Sequence, residues 1–249
     1  DKEKWHVRMI RSLYFVMVLF SGLLLSGCGG GGGSGGSGTA VSANGLWQGT
    51  FTENGIGTFD LHALLYNGRI IAISEAAGII YDGRYSMDGN RITGSVTAYQ
   101  IGGGVYTKTN LSGTVSAQNQ ITASFSTDLG TTGTINLVFD EIYNRDSSLG
   151  LVADVWYYSD GIDSLAINVE NDGTFVGQSS DGCILSGRLS ILDPAYNLYG
   201  VEVTVTNCGY LNGSYDGFAG LMDDTMPNDT LLVAVSNMNY VIIYSLSRQ

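Results

Sequence analysis

His62 is the one histidine downstream of residue 28, so a Ser-His-Asp device in that part of the chain would have to run through it. It sits in Phe59-Asp60-Leu61-His62-Ala63-Leu64-Leu65. Strand alternation puts it with Asp60 and Leu64, opposite Leu61, Ala63 and Leu65. No Gly-x-Ser-x-Gly elbow accompanies it, and the pattern is that of a solvent-facing strand histidine. Paired carboxylates would serve a glycan-acting hydrolase on a β scaffold. Glu53, Glu75, Glu141, Glu170 and Glu202 are available, but no spacing among them singles out a pair. Asp223-Asp224 with Asn228-Asp229, and Asp160 with Asp163, are oxygen-rich and weak calcium candidates. Neither follows the spaced ligands of an EF-hand loop, and turn chemistry accounts for both. The chain has no His-x-x-x-His pair or Cys-x-x-Cys cluster for zinc. Gly102-Gly103-Gly104 is a loop between strands, not a phosphate cradle, because no helix follows. Tyr157, Tyr158, Tyr196, Tyr199, Tyr210 and Tyr215 make tyrosine abundant in the second half. Tyrosine suits recognition surfaces and sugar stacking as well as plain strands. These residues lead to no catalytic set, no metal site and no cofactor.

The amino-terminal region offers a different chemistry. Arg8 and Arg11 precede an apolar run from Ser12 to Phe20 that continues through Gly22 to Leu25. That is the layout of a secretory signal peptide over residues 1–27, with Met9 an available start. The run is shorter than the ~20 apolar residues a spanning helix needs. At its end stands Leu25-Ser26-Gly27-Cys28, which resembles the bacterial lipobox. The resemblance implies a covalent lipid on the Cys28 sulfur, cleavage before Cys28 and acylation, with palmitate-type chains, of the new amino group. The implied partner is a membrane, held through several acyl chains. Gly29 stands where an aspartate would signal inner-membrane retention, so the resemblance points to the outer membrane of the cell envelope and leaves the face open. Residues 29–38 are glycine and serine only, a flexible tether, and residues 28–44 together form the lipidated cysteine and its Gly-rich linker.

The elements that follow must be strands. Glycine is abundant, proline nearly absent, and no stretch after residue 30 has the length and period of a good amphipathic helix. Strand patterns cover 46–53, 57–66, 69–75, 79–87, 91–100, 105–116, 120–127 and 133–140, then 151–158, 162–170, 174–179, 183–192, 198–207, 214–222, 230–236 and 240–246. Asn67-Gly68, Asp88-Gly89, Asp172-Gly173 and Asp193-Pro194 mark turns. The halves look related. Gly78-Ile79-Ile80-Tyr81-Asp82-Gly83-Arg84-Tyr85-Ser86 aligns with Gly182-Cys183-Ile184-Leu185-Ser186-Gly187-Arg188-Leu189-Ser190, and Asn67 meets Asn171 at the same offset. We therefore expect an all-β protein of two tandem antiparallel units, 45–142 and 149–249, each of about eight short strands in a small barrel or a sandwich. A membrane-spanning barrel fits the alternation only in part, and a lipobox argues against it.

In an oxidising compartment Cys183 and Cys208 are expected to form a disulfide. They flank a hairpin turning near Asp193-Pro194-Ala195-Tyr196. Strict alternation puts Cys208 on the wrong face, which an irregularity near Thr206-Asn207 would repair. The net charge is -12, and removal of residues 1–27 leaves seven cations against 21 acids, or -14. Such a surface repels phosphate backbones, so nucleic acid is not an expected partner. The glycine leader and duplicated β units resemble surface lipoproteins that capture host proteins such as transferrin or complement regulators, although no residue motif carries a ligand across. The expected function is a non-enzymatic binding or structural module of the envelope, with a protein or glycan ligand. The alternative is the glycan hydrolase.

Overall fold

The computed structural model describes residues 41–100, 104–237 and 239–249. Cys28, the apolar leader and the glycine run of the tether lie outside the described residues, as do Gly102 and Gly103. The first eight strands are β1 (Gly45–Glu53), β2 (Gly57–Tyr66), β3 (Arg69–Ser74), β4 (Ile79–Asp88), β5 (Arg91–Gln100), β6 (Val105–Ser116), β7 (Gln120–Thr127) and β8 (Thr132–Phe139). The second eight are β9 (Val155–Ser159), β10 (Ser164–Val169), β11 (Thr174–Ser179), β12 (Ile184–Ile191), β13 (Tyr199–Thr206), β14 (Gly213–Met222), β15 (Thr230–Ser236) and β16 (Val241–Arg248). Each set runs up and down in sequence order and closes on itself, β1 against β8 and β16 against β9. The protein is thus two antiparallel eight-stranded barrels in tandem, which settles barrel against sandwich.

Alternation drives this closure. Along β5, Ile92, Val96 and Ala98 are buried while Arg91, Thr93 and Ser95 are exposed. The interior of each barrel is apolar and much of its outer face carries polar side chains, the reverse of a spanning barrel. Among the described residues no helix is long and apolar enough to cross a membrane. Tight turns set the register. Asn67 and Gly68 both have positive φ in the two-residue loop between Tyr66 and Arg69, as a type I′ turn requires. The two-residue loop between β4 and β5 consists of Gly89, with positive φ, and Asn90, since Asp88 still pairs with Arg91.

The same devices recur in both barrels. Trp47 in β1 donates its indole N–H to the carbonyl of Ala43 at 2.9 Å, and Trp156 in β9 donates to Val152 at 2.7 Å. Both rings are buried and plug the barrel end where the chain enters. Gly83 in β4 and Gly187 in β12 occupy matching positions. A Cβ on either would meet the next strand's carbonyl, Ser95 O at 2.2 Å or Glu202 O at 2.1 Å, so only glycine allows the close approach. One expectation fails. Residues 151–154 do not extend β9, because a single helical turn, α1 (Leu149–Val152), precedes it. That turn buries Val152 under the barrel and presents its carbonyl to Trp156.

The barrels pack on one another. Leu46, Ile71, Tyr143, Leu198 and Phe218 form a shared core between them. Beside it Arg69 pairs with Asp82 of its own barrel and with Asp216 of the other, donates to the Ser236 hydroxyl at 2.9 Å, and lies over the Phe218 ring. Ser236 in turn donates to Asp82. The linking segment is fixed by Asn197, whose side chain donates to the carbonyls of Ile142 and Leu221 and accepts from the Leu221 N–H.

Candidate functional site

Inside the first barrel lies a cavity of about 380 Å³. Its walls are inward side chains such as Leu61, Ile70, Ala72, Ile92, Ala98 and Phe125. It opens at the end carrying the turns after β1, β3 and β7, where Glu53, Ile56, Ala77, Tyr106 and Leu129 reach its lining. Trp47, Ala43 and Val115 pack at the other end. Among the described residues, four large apolar side chains stand exposed around the open end, Ile56 at 63%, Val105 at 58%, Tyr106 at 51% and Leu129 at 61%. An apolar rim around an apolar interior is the mark of a site that receives apolar surface. The ladder between β5 and β6 shifts register at Ala98 and Tyr99, close to this mouth, where a bulge re-aims side chains.

The second barrel carries larger side chains at matching interior positions. Ala63, opposite Trp47, is matched by Ile167 opposite Trp156. Ala98, opposite Tyr81, is matched by Val205 opposite Leu185. Tyr158, Tyr215, Tyr240 and Tyr244 pack on the core, with Tyr158 and Tyr244 edge-on at 5.6 Å. The equivalent end of this barrel is also tied. Cys183 and Cys208 are joined by a disulfide linking the turn before β12 to the segment after β13. Cys183 would face Asn207 across the ladder. The left-handed φ of 56° at Asn207 turns the chain so that Cys208 meets it instead. Such a link adds about 2–4 kcal/mol by limiting the unfolded chain.

The remaining residues named from sequence are scattered. His62 is exposed on the outer face of β2, and Leu61, Ala63 and Leu65 are buried beneath it. Beside it Asp60 accepts from the backbone N–H groups of Glu75 and Ala76 and holds the turn after β3. Of the five glutamates, Glu53 and Glu75 share the open end of the first barrel. Glu141 lies in the link between barrels, Glu170 in the turn after β10, and Glu202 points outward on β13. Burial and the nearby Asp60 push the Glu75 carboxyl up. The oxygen-rich loop is occupied by its own donors. Asp229 accepts from the N–H groups of Asp224, Thr225 and Met226 and from the Thr225 hydroxyl, while Asp223 takes a two-pronged ion pair from Arg145 at 2.7 and 2.5 Å. Desolvation acts to raise the Asp229 carboxyl, and its donors outweigh it, so it titrates well below the usual carboxylate range. Asp160 likewise accepts from Ile162 and Asp163. Among the described residues no group of three or more His, Cys, Asp or Glu side chains is placed to hold a metal ion.

Buried phenols give the fold a pH signature. Burial pushes Tyr158 up to about 12 and raises Tyr81, Tyr143 and Tyr244 further. Unfolded tyrosines ionise near ~10, so the folded state is favoured below that pH. The contribution is lost as pH rises from ~10 through the higher folded values. In an alkaline titration, tyrosinate absorbance should therefore rise first for exposed tyrosines, then in a second phase that coincides with loss of the far-UV β signal.

No protein-family model and no curated protein sequence matches the chain. Among solved structures it is similar to the crystal structure of the isotype 1 transferrin binding protein B from serogroup B Neisseria meningitidis. The identity is 8% and the TM-score 0.31, over 81% of this chain and 63% of that one. The chain thus spans less than two thirds of that protein's chain. A likeness so distant leaves function to the geometry of the site.

Proposed function

We propose that this protein is a lipid-anchored protein of the bacterial cell envelope, held at the outer membrane through acyl chains on Cys28. It acts as a non-enzymatic binding module, and its ligand is a small apolar molecule seated inside the first barrel. The observation that carries the ligand site is the open, apolar-rimmed cavity of about 380 Å³, a volume within the ~300–1,000 Å³ of small-molecule sites. An eight-stranded barrel is just wide enough to hold one small ligand. Larger side chains at matching interior positions and the cross-link in the second barrel support a division of labour in which it is a rigid partner and the first is the receptor. Glu53 is the one carboxylate among the described lining residues, which favours binding over a two-carboxylate hydrolase. The anchor rests on Leu25-Ser26-Gly27-Cys28 at the end of the apolar leader.

A naphthylamine dye that fluoresces in apolar surroundings tests the site. It should bind the protein saturably at one site and be displaced by a long-chain alcohol; a signal that never saturates would contradict the reading. Labelled palmitate tests the anchor. Incorporation should occur in the native protein and vanish in Cys28→Ser, and an unlabelled native protein would remove the anchor from the proposal.

A further inference from the structure

Building on that site, we propose that the ligand is a single-chain amphiphile with a cationic head, its chain in the barrel and its ammonium group at the mouth beside Glu53 and the Tyr81 ring. The lining supplies the chemistry. Glu53 closes β1 at the mouth and reaches the cavity, and Tyr81 lines it from β4. Phe51 stacks on Phe59 at 5.2 Å and meets Tyr81 edge-on at 6.2 Å. Tyr106 adds an exposed ring on the rim. Aromatic faces next to a carboxylate are what holds alkylammonium groups, which bring charge without needing a strong donor.

The wider mouth points the same way. Among the described residues, Glu53, Glu75, Asp60 and Asp128 lie at this end against a single cation, Lys108, beside Asp128. No lysine, arginine or histidine is among the described lining residues. An anionic head would enter a field of its own sign and find no counter-charge inside. A cationic head finds both attraction and ring faces. Below the mouth, lining residues such as Leu65, Ile92, Ile121 and Leu137 offer the chain apolar walls.

Three ligands of one chain length test this, each below its micelle concentration or solubility limit: dodecyltrimethylammonium, dodecanol and dodecanoate, titrated calorimetrically into the full chain. We expect the cation to bind most tightly and the anion most weakly, at least about tenfold apart. Glu53→Gln should lower the cation-to-alcohol affinity ratio several-fold by removing the counter-charge. Tyr81→Leu, which keeps an apolar wall, should lower the cation-to-alcohol ratio by a separate route. Dodecanoate binding as tightly as the cation, or a cation preference that survives both substitutions, would overturn the head-group assignment while the cavity stood. If none of the three bound and none displaced the dye, the barrel would not be a receptor, and both proposals would fall.

Discussion

Trp156→Ala should cost about 3–5 kcal/mol of stability, read as a fall in the urea midpoint of the full chain. Trp156 is fully buried, at 0% exposure, and its loss removes more than ring area. The indole N–H that satisfies the Val152 carbonyl goes with it, leaving a buried acceptor with no donor in a helical turn that exists to present it. The Arg248 guanidinium, 4.6 Å from the ring centroid and paired with Asp154 at 2.8 Å, loses the surface it lies on. Arg248 also faces Trp156 across the seam that closes the second barrel, where β16 and β9 share only two paired positions. Damage there opens the barrel at its shortest ladder. Val155→Ala, one residue away and exposed, should change stability by no more than about 0.5 kcal/mol. Equal effects at the two positions would remove the tryptophan's role as a plug.

Ala72→Phe should abolish binding in the first barrel, weakening the dye by at least about 100-fold, or ~2.7 kcal/mol. Ala72 is buried at the centre of β3, with Ala63 opposite on one side and Tyr81 on the other, and lines the cavity. A phenyl group there has room to enter, so it takes the ligand's volume. Overpacking a filled core costs about 1–3 kcal/mol. Here the added apolar burial offsets strain, and the thermal midpoint should hold or rise. Ala166→Phe on the exposed face of β10 is the matched control and should leave affinity unchanged. Retained binding in a folded Ala72→Phe protein would place the dye elsewhere.

Most strands were legible in the sequence because their faces alternate and their ends carry turn residues. β2, β5, β6, β7 and β11 fall at the expected bounds. The stretch before β9 was misread because Leu149-Gly150-Leu151-Val152 is a short apolar run, and such runs suit a strand or a helical turn equally well. Barrel closure was not legible, since sandwich and barrel alternate alike and the deciding ladder joins β1 to β8, strands distant in sequence. The packing of one barrel on the other did leave a trace. Ile70-Ile71-Ala72 and Phe218-Ala219-Gly220-Leu221 are buried at successive positions, and a strand covered on both faces loses its alternation. The cavity left none. Which side chains stand opposite one another across the interior, such as Ala63 opposite Trp47 or Ile167 opposite Trp156, emerges only once the register is known.

The most direct measurement of the central claim is a methyl NMR titration of the full chain, labelled at alanine, with dodecyltrimethylammonium. A ligand inside the first barrel should shift the methyls of Ala63, Ala72, Ala98 and Ala123, all of which line the cavity. The methyls of Ala166 and Ala219, in the second barrel, should stay in place. Shifts confined to the second barrel, or no saturable shift at all, would contradict a receptor site within the first.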